Sequence, residues 1–529
     1  MKKGFTLVEL LAVVVLLAIV ALIATPIIGN VIETSEESAN QRSIEGYADA
    51  IRNEYYNQQT GGGIPVIDDA FLANIDTEGN EISCENVLYS TEYQVILNKC
   101  TIADYTKKLY CYAGGEHYEC DDSEFLGILQ NSGGGTSNNE YQDNSGANKP
   151  ELANNMIPIR YNGSNWVYAD TTEEWYDYDS KEWANAVVLN NGVSKSTGDT
   201  ITEDEIALWY VWIPRYKYQL FNADNGSVDE QLINVTFESE TATTGTVSCI
   251  DAVSGTGDSS ETCTNATNGN WYTHPAFTFG DEEITGFWIG KFEVSGSTDT
   301  ITIKPNVSSL RSTTVSNFFT AIKNMKTTYG LSGDSHMIKN MEWGAVAYLK
   351  QSKYGLGETD IGINNNSDFT TGCGATAGSS SSDTCEAYNT TNGMLASTTG
   401  NIYGVYDMSG GAWEYVMGNM VNSSGAFYAS DLGFSSAPEA KYYDAYTYGT
   451  DNEDHGRGKL GDATKETLSS FGNYRGGWYS DFAYFVYSSS SWFVRGGGYG
   501  NSSYAGVFAF YGNNGYADSN NSARAVLIH

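Results

Sequence analysis

WFVRGGGYGNSSYAGVFAFYGNNGYADSNNSARAVL, Trp492 to Leu527, is the stretch on which the fold turns. From Gly498 to Ser522 it holds no Lys, Glu, Gln, Met or Trp, and it is rich in Tyr, Ser, Gly and Asn. Tyrosine offers rigid, amphipathic contact area and small polar residues adapt their hydrogen bonds, so this mixture suits recognition rather than catalysis. Composition alone fits equally a low-complexity region that merely closes a fold. The segments around it separate the two readings.

Upstream stand FWIGKFEVSG (Phe287 to Gly296), HMIKNMEWGAVAYL (His336 to Leu349), GNIYGVYDMSGGAWEYVMG (Gly400 to Gly418) and NYRGGWYS (Asn473 to Ser480). In that order these landmarks resemble the formylglycine-generating-enzyme, or sulfatase-modifying-factor, family. The resemblance implies a C-type-lectin-like fold over residues 205–529, and it is most specific at Tyr403–Tyr415 and the two RGG segments, Arg475–Gly477 and Arg495–Gly497. Oxidase members of that family hold copper with a cysteine pair near the carboxyl terminus, whereas no cysteine follows Cys385 here. Iron-dependent relatives use a histidine cluster, but His117, His274, His336, His455 and His529 lack metal-ligand spacing. The expectation is therefore no enzyme, no catalytic residue and no cofactor. The family's structural calcium stays open: Glu414 is present, while Gly411 stands where an asparagine is usual.

The segment is more similar to a non-enzymatic branch, the variable receptor-binding proteins of diversity-generating retroelements. On that resemblance Arg495–Gly497, Ala505–Phe508 and Ser519–Leu527 are constant framework within a variable segment 492–527. The variable, ligand-binding positions are Gly498, Tyr499, Gly500, Asn501, Ser502, Tyr504, Tyr511, Gly512, Asn513, Tyr516 and Asp518. The resemblance implies a reverse transcriptase that randomises adenines, mostly in asparagine codons, whose products exclude the five residue types missing here. The implied ligand is a protein or glycan of unknown identity, with Tyr499, Tyr504, Tyr511 and Tyr516 as aromatic anchors.

The amino terminus reads MKKGFTLVELLAVVVLLAIVALIATPIIGN, with Lys2 and Lys3, a small Gly4, and a run from Phe5 to Ile28 whose one charge is Glu9. At about 1.5 Å per helical residue that run spans a bilayer. Its small residue precedes the apolar stretch, so cleavage after Gly4 leaves the hydrophobic helix on the mature chain, unlike a secretory signal. These residues resemble the class III leader of type IV pilins and pseudopilins: Gly4 before the cut, Phe5 as the methylated new terminus, Glu9 fifth in the mature chain, and Pro26 at the helix kink. A carboxylate this deep in a membrane costs roughly 2.5–3.5 kcal/mol, and in the family a neighbouring subunit's terminal amine partners it. The implied partners are a prepilin peptidase, other pilin subunits, and the membrane before assembly. Beyond Pro26, Ile44, Tyr47, Ala48, Ile51 and Tyr55 keep helical spacing to about Tyr56, and Gly61–Gly63 end the helix.

The 529 residues exceed one hydrophobic core, and 40% hydrophobic with 13% aromatic residues is the composition of packed domains. Against 65 acidic residues stand 28 basic ones, and a net charge of -37 repels phosphate backbones, so nucleic acid is no partner. The even set Cys84, Cys100, Cys111, Cys120, Cys249, Cys263, Cys373 and Cys385 lacks CxxC spacing and reads as disulfides formed outside the cell. Cys249–Cys263 and Cys373–Cys385 are the expected loop staples; the first four cysteines allow three connectivities. The expected organisation is an α+β multidomain chain. It comprises leader 1–4, assembly helix 5–58, small disulfide-bonded pilin-like head 59–130, linker 131–150, aromatic-rich β segment 151–204 and the lectin-like domain 205–529. The expected function is a surface-displayed, pilus-associated adhesin with a diversified patch. Its alternatives are an undiversified tip pseudopilin and, from another class, a formylglycine-generating-like oxidase.

Overall fold

The computed structural model describes residues 15, 38–57, 69–72, 75, 82–84, 86–90, 94–103, 108–120, 122, 125, 128, 141–222, 228–246, 267–381, 384–428, 432–450, 458–470 and 474–529. The chain divides into two compact units, Met1–Glu140 and Tyr141–His529. Gly4, Phe5, Glu9 and Pro26 lie outside the described residues, as do Cys249 and Cys263. Among the described residues no helix is long and apolar enough to cross a membrane.

In the first unit residues 38–57 are helical. Ile44, Tyr47, Ala48, Ile51 and Tyr55 recur on one face, as a 3.6-residue period requires, and all five are buried. They share a core with Val95, Leu97, Ile102, Tyr110 and Tyr112. Those residues belong to the antiparallel strands Gln94–Ile102 and Tyr110–Ala113, with Ile82–Ser83, Asn86–Ser90 and Glu116–Tyr118 completing the sheet. Of the three connectivities open to the first four cysteines, the structure has Cys84–Cys100 and Cys111–Cys120. A third disulfide, Cys373–Cys385, closes a loop of the second unit.

The second unit rests on an eight-stranded antiparallel sheet. Its order is Asp334–Met337, Ala525–Ile528, Gly286–Gly290, Ile206–Pro214, Asn185–Leu189, Met156–Tyr161, Trp166–Tyr168 and Thr200–Ile201. Four of these strands lie between 151 and 204, so the expected boundary at 205 falls inside one sheet and one core. Of the expected linker 131–150, residues 141–150 belong to the second unit. Ala147 is buried, Tyr178 N–H donates to the Asp143 carboxylate at 2.8 Å, and Asn148 bonds the Thr285 carbonyl at 2.8 Å. Short Asn, Asp and Ser side chains satisfy the backbone of an irregular segment, which composition cannot distinguish from a flexible one.

Two helices pack with this unit. Val315–Tyr329 starts where the Thr314 hydroxyl accepts from Asn317 N–H and stops at Gly330 in the left-handed region (φ 63°). Asn340–Lys350 is buried along its whole length. His336 and Met337 just before it belong to the strand Asp334–Met337, which pairs with Ala525–Ile528. The described chain is thus mostly β, with few helices, rather than α+β.

A five-stranded sheet completes the unit. Trp413–Met420 pairs antiparallel with Trp492–Gly496, which pairs with Gly506–Asn513; Asp444–Tyr446 and Asn521–Ala523 lie parallel to Trp413–Met420. Residues 521–528 therefore pass from the small sheet into the large one, and Arg524 sits at the crossing. Its guanidinium donates to both Glu414 oxygens, through Nε at 2.9 Å, and to the carbonyls of Gly290 and Tyr406 at 2.8 and 2.9 Å. Glu414, Glu293 and Asp407 are all buried nearby; burial and then each other's charge push Glu293 well above the ordinary carboxyl range. Removing one partner of such a pair leaves a buried charge uncompensated. Arg524→Met is expected to lose about 3–5 kcal/mol of stability, and adding Glu414→Leu should restore part of it. Urea denaturation of the full chain checks both, and a single variant as stable as the parent contradicts the assignment.

Candidate functional site

The Trp492 and Gly506 strands pair in register Val494↔Tyr511 and Trp492↔Asn513. Side chains alternate across a strand. Phe508 and Phe510 therefore enter the core, while Tyr511, 39% exposed, and Asn513 face the other way. The 497–505 turn joining the strands needs its constant residues. Arg495 is fully buried and donates to the carbonyls of Ala509, Asp462 and Ala463 and to the Asn340 side chain. Gly497 has φ 75°, and a Cβ there would lie 2.5 Å from Ala505 Cα. At Gly506 a Cβ would lie 2.1 Å from the buried Asp481 carboxylate, which accepts from Phe508 N–H at 3.1 Å.

Held this way, the turn and strand face open onto a cavity of about 690 Å³. Seven sequence-predicted positions line it: Gly498, Tyr499, Gly500, Asn501, Tyr511, Asn513 and Asp518. Their backbone and polar groups are fixed from within. Tyr499 N–H donates to the Gly411 carbonyl at 2.8 Å, Asn501 Oδ1 accepts from Gly498 N–H at 2.6 Å, and Asn513 Oδ1 accepts from the Tyr415 hydroxyl at 2.7 Å. Asp518 Oδ1 accepts from Asn520 N–H at 2.8 Å.

The other half of the wall is aromatic and was not legible as site: Phe369, Trp413, Tyr474, Phe482 and Tyr484. Tyr484 stacks on Tyr511 with centroids 5.3 Å apart and planes 11° apart; Trp413 stands 6.0 Å from Tyr511 and 5.9 Å from Phe482. Phe369 meets Tyr499 edge to face at 4.8 Å. The alternation of Phe482 and Tyr484 was the available signal, since residues two apart on an extended chain share a face. Burial, then the neighbouring Tyr484 and Tyr487, raise the Tyr511 phenol above its ordinary value, so it remains a neutral donor at physiological pH.

Four predicted positions do not line the cavity. The Ser502 hydroxyl donates to the Gly378 carbonyl at 3.3 Å; the Tyr504 hydroxyl meets Arg475 Nη1 at 2.6 Å; Tyr516 is 52% exposed. Gly512 is buried, and a Cβ there would lie 3.0 Å from the Phe485 carbonyl. Among the described residues no three His, Cys, Asp or Glu are arranged to hold a metal ion. The residues present do not fit a calcium at Glu414, whose two oxygens are engaged by Arg524 while Gly411 has no side-chain donor.

Comparison with known proteins adds two findings. Residues 1–25 match the prokaryotic N-terminal methylation motif, a span that includes Gly4, Phe5 and Glu9 and ends one residue before Pro26. No curated protein matches the chain. Among solved structures, the chain is similar to the Major Tropism Determinant M1 and I1 variants, each at 12% identity and TM-score 0.26, and to the P3c variant at 13% and 0.24. Each match covers 84% of this chain and 95% of the other.

The glycines divide testably into scaffold and readout. Nothing lies within 4 Å of a Cβ at Gly500, so Gly500→Ala and Gly500→Tyr should change stability by less than about 0.5 kcal/mol. Gly506→Ala and Gly497→Ala should cost roughly 1–3 kcal/mol or more. Thermal melts of the four variants check the division, and equal melting of all four contradicts it.

Proposed function

We propose that this chain is a surface-displayed, pilus-associated ligand-binding protein whose cavity at 498–518 is diversified by a retroelement. The observation that carries the reading is the convergence of the tyrosine-, glycine- and asparagine-rich turn and strand on one concave, aromatic-walled cavity, in a chain whose first 25 residues match the methylation motif. Cavities of this size lined by aromatic rings with a few placed polar groups are the usual form of ligand sites. A fixed wall of Trp413, Phe482 and Tyr484 supplies non-selective contact, and the turn residues supply selectivity.

At the other end, a prepilin peptidase cuts after Gly4, Phe5 becomes the methylated terminus, and the helix holds the chain in the membrane until assembly. Glu9 then pairs with the terminal amine of a neighbouring pilin subunit, because an isolated carboxylate in lipid is costly. Many copies on one fibre convert weak single-site binding into avidity. The reading is of recognition rather than catalysis; the oxidase alternative lacks its carboxyl-terminal cysteine pair.

Three measurements test this. Sequencing the 3′ end of the gene in a population should find adenine-directed variation at the turn codons and a near-copy template beside a reverse-transcriptase gene. An invariant segment without a template instead favours a tip pseudopilin. Changing Tyr499, Tyr504 and Tyr511 together to alanine should abolish cell adhesion with the chain still folded. Glu9→Ala should impair incorporation into filaments; normal incorporation favours a plain membrane anchor.

A further inference from the structure

Resting on the ligand-binding reading above, we propose that the cavity takes a cationic group, an arginine or lysine side chain presented by a protein ligand. The face of an aromatic ring attracts a cation within about 6 Å of its centroid. Among the described residues the protein makes this contact three times with its own guanidinium groups around the site, one of them Arg475 over the lining ring of Tyr474 at 5.3 Å. The Arg475 guanidinium carbon stands 3.8 Å from the Tyr504 centroid, and that of Arg311 stands 3.8 Å from the Phe369 centroid. Inside the cavity, Trp413, Phe482, Tyr484, Tyr499 and Tyr511 have no such cation over them among the described residues.

Arg311 and Arg475 already cover the Phe369 and Tyr474 rings of the wall, which leaves the other lining rings and one lining carboxylate for a cation from outside. Asp518 is the one charged side chain among the described lining residues. Its Oδ1 is held by Asn520, while its Oδ2 accepts no hydrogen bond among the described residues. A carboxylate with a free oxygen beside ring faces that carry no cation complements a guanidinium or ammonium group better than a neutral one. The net charge of -37 adds a long-range field that draws cationic surfaces towards the chain.

The test is titration of the full chain in a non-ionic detergent, read by tryptophan fluorescence and calorimetry. The probes are an acetylated, amidated Gly-Arg-Gly peptide, the same peptide with citrulline in place of arginine, and a neutral oligosaccharide. The arginine peptide should saturate the site and the citrulline peptide should bind about tenfold weaker. Raising the salt should weaken the first more than the second. Asp518→Asn, which keeps the Asn520 bond, should weaken the arginine peptide roughly three- to tenfold without moving the melting temperature, and Tyr511→Leu should weaken it independently. Equal binding of the two peptides overturns the proposal. So does saturable binding of the oligosaccharide that Asp518→Asn leaves unchanged, an outcome in which the cavity remains a ligand site. Failure of all three probes also overturns the cation assignment, and the adhesion assay on the triple tyrosine variant then judges the wider reading on its own.

Discussion

The buried pair between Arg524 and Glu414 ties the small sheet, whose strands carry the site, to the large sheet. Arg524 follows a strand of the small sheet and precedes one of the large sheet, and it reaches a carbonyl of the large sheet at Gly290 and a carboxylate of the small one at Glu414. Two buried charges cost several kcal/mol each to desolvate, and only saturated hydrogen bonding offsets that. Arg524 meets the condition with four acceptor atoms on three residues, Glu414, Gly290 and Tyr406. The geometry fixes the end of the chain, and with it Asp518, Asn520 and Asn521 at one edge of the cavity.

What the sequence made legible follows from which interactions are local. The buried face of helix 38–57 shows in Ile44, Tyr47, Ala48, Ile51 and Tyr55 because a helix repeats every 3.6 residues. The strands Ile206–Pro214 and Gly286–Gly290 show as aromatic and β-branched runs. The false boundary at 205 arose because sheet order is non-local: Asn185–Leu189 pairs with Ile206–Pro214, which pairs with Gly286–Gly290 some eighty residues away. The pairing of Cys84 with Cys100 was undecidable for the same reason, since spacing carries no distance.

The site was half legible. Its variable half announces itself by composition, whereas Trp413, Phe482 and Tyr484 do not. In a chain that is 13% aromatic, a ring in a strand is usually core, and only the three-dimensional placement distinguishes a wall from an interior. Gly512 shows the converse placement. It lies among tolerant positions in sequence, yet the strand's two-residue period turns it inward, next to the Phe485 carbonyl.

The scarcity of cations gives these observations a common cause. Arg215, Lys291, Arg495 and Arg524 are fully buried: Arg215 pairs with Glu238 and Glu283, and Lys291 donates to Asn185 and to the carbonyls of Ile402 and Gly404. Lys291 also stands within 5.4 Å of the ring centroids of Trp166, Trp209 and Tyr406. In a chain with 28 basic residues against 65 acidic ones, each cation held inside as a structural bond leaves the exterior more negative. Two rings of the cavity wall, Phe369 and Tyr474, already meet a guanidinium of their own chain, from Arg311 and Arg475. The wall rings that meet none are the ones on which the proposed cation would rest.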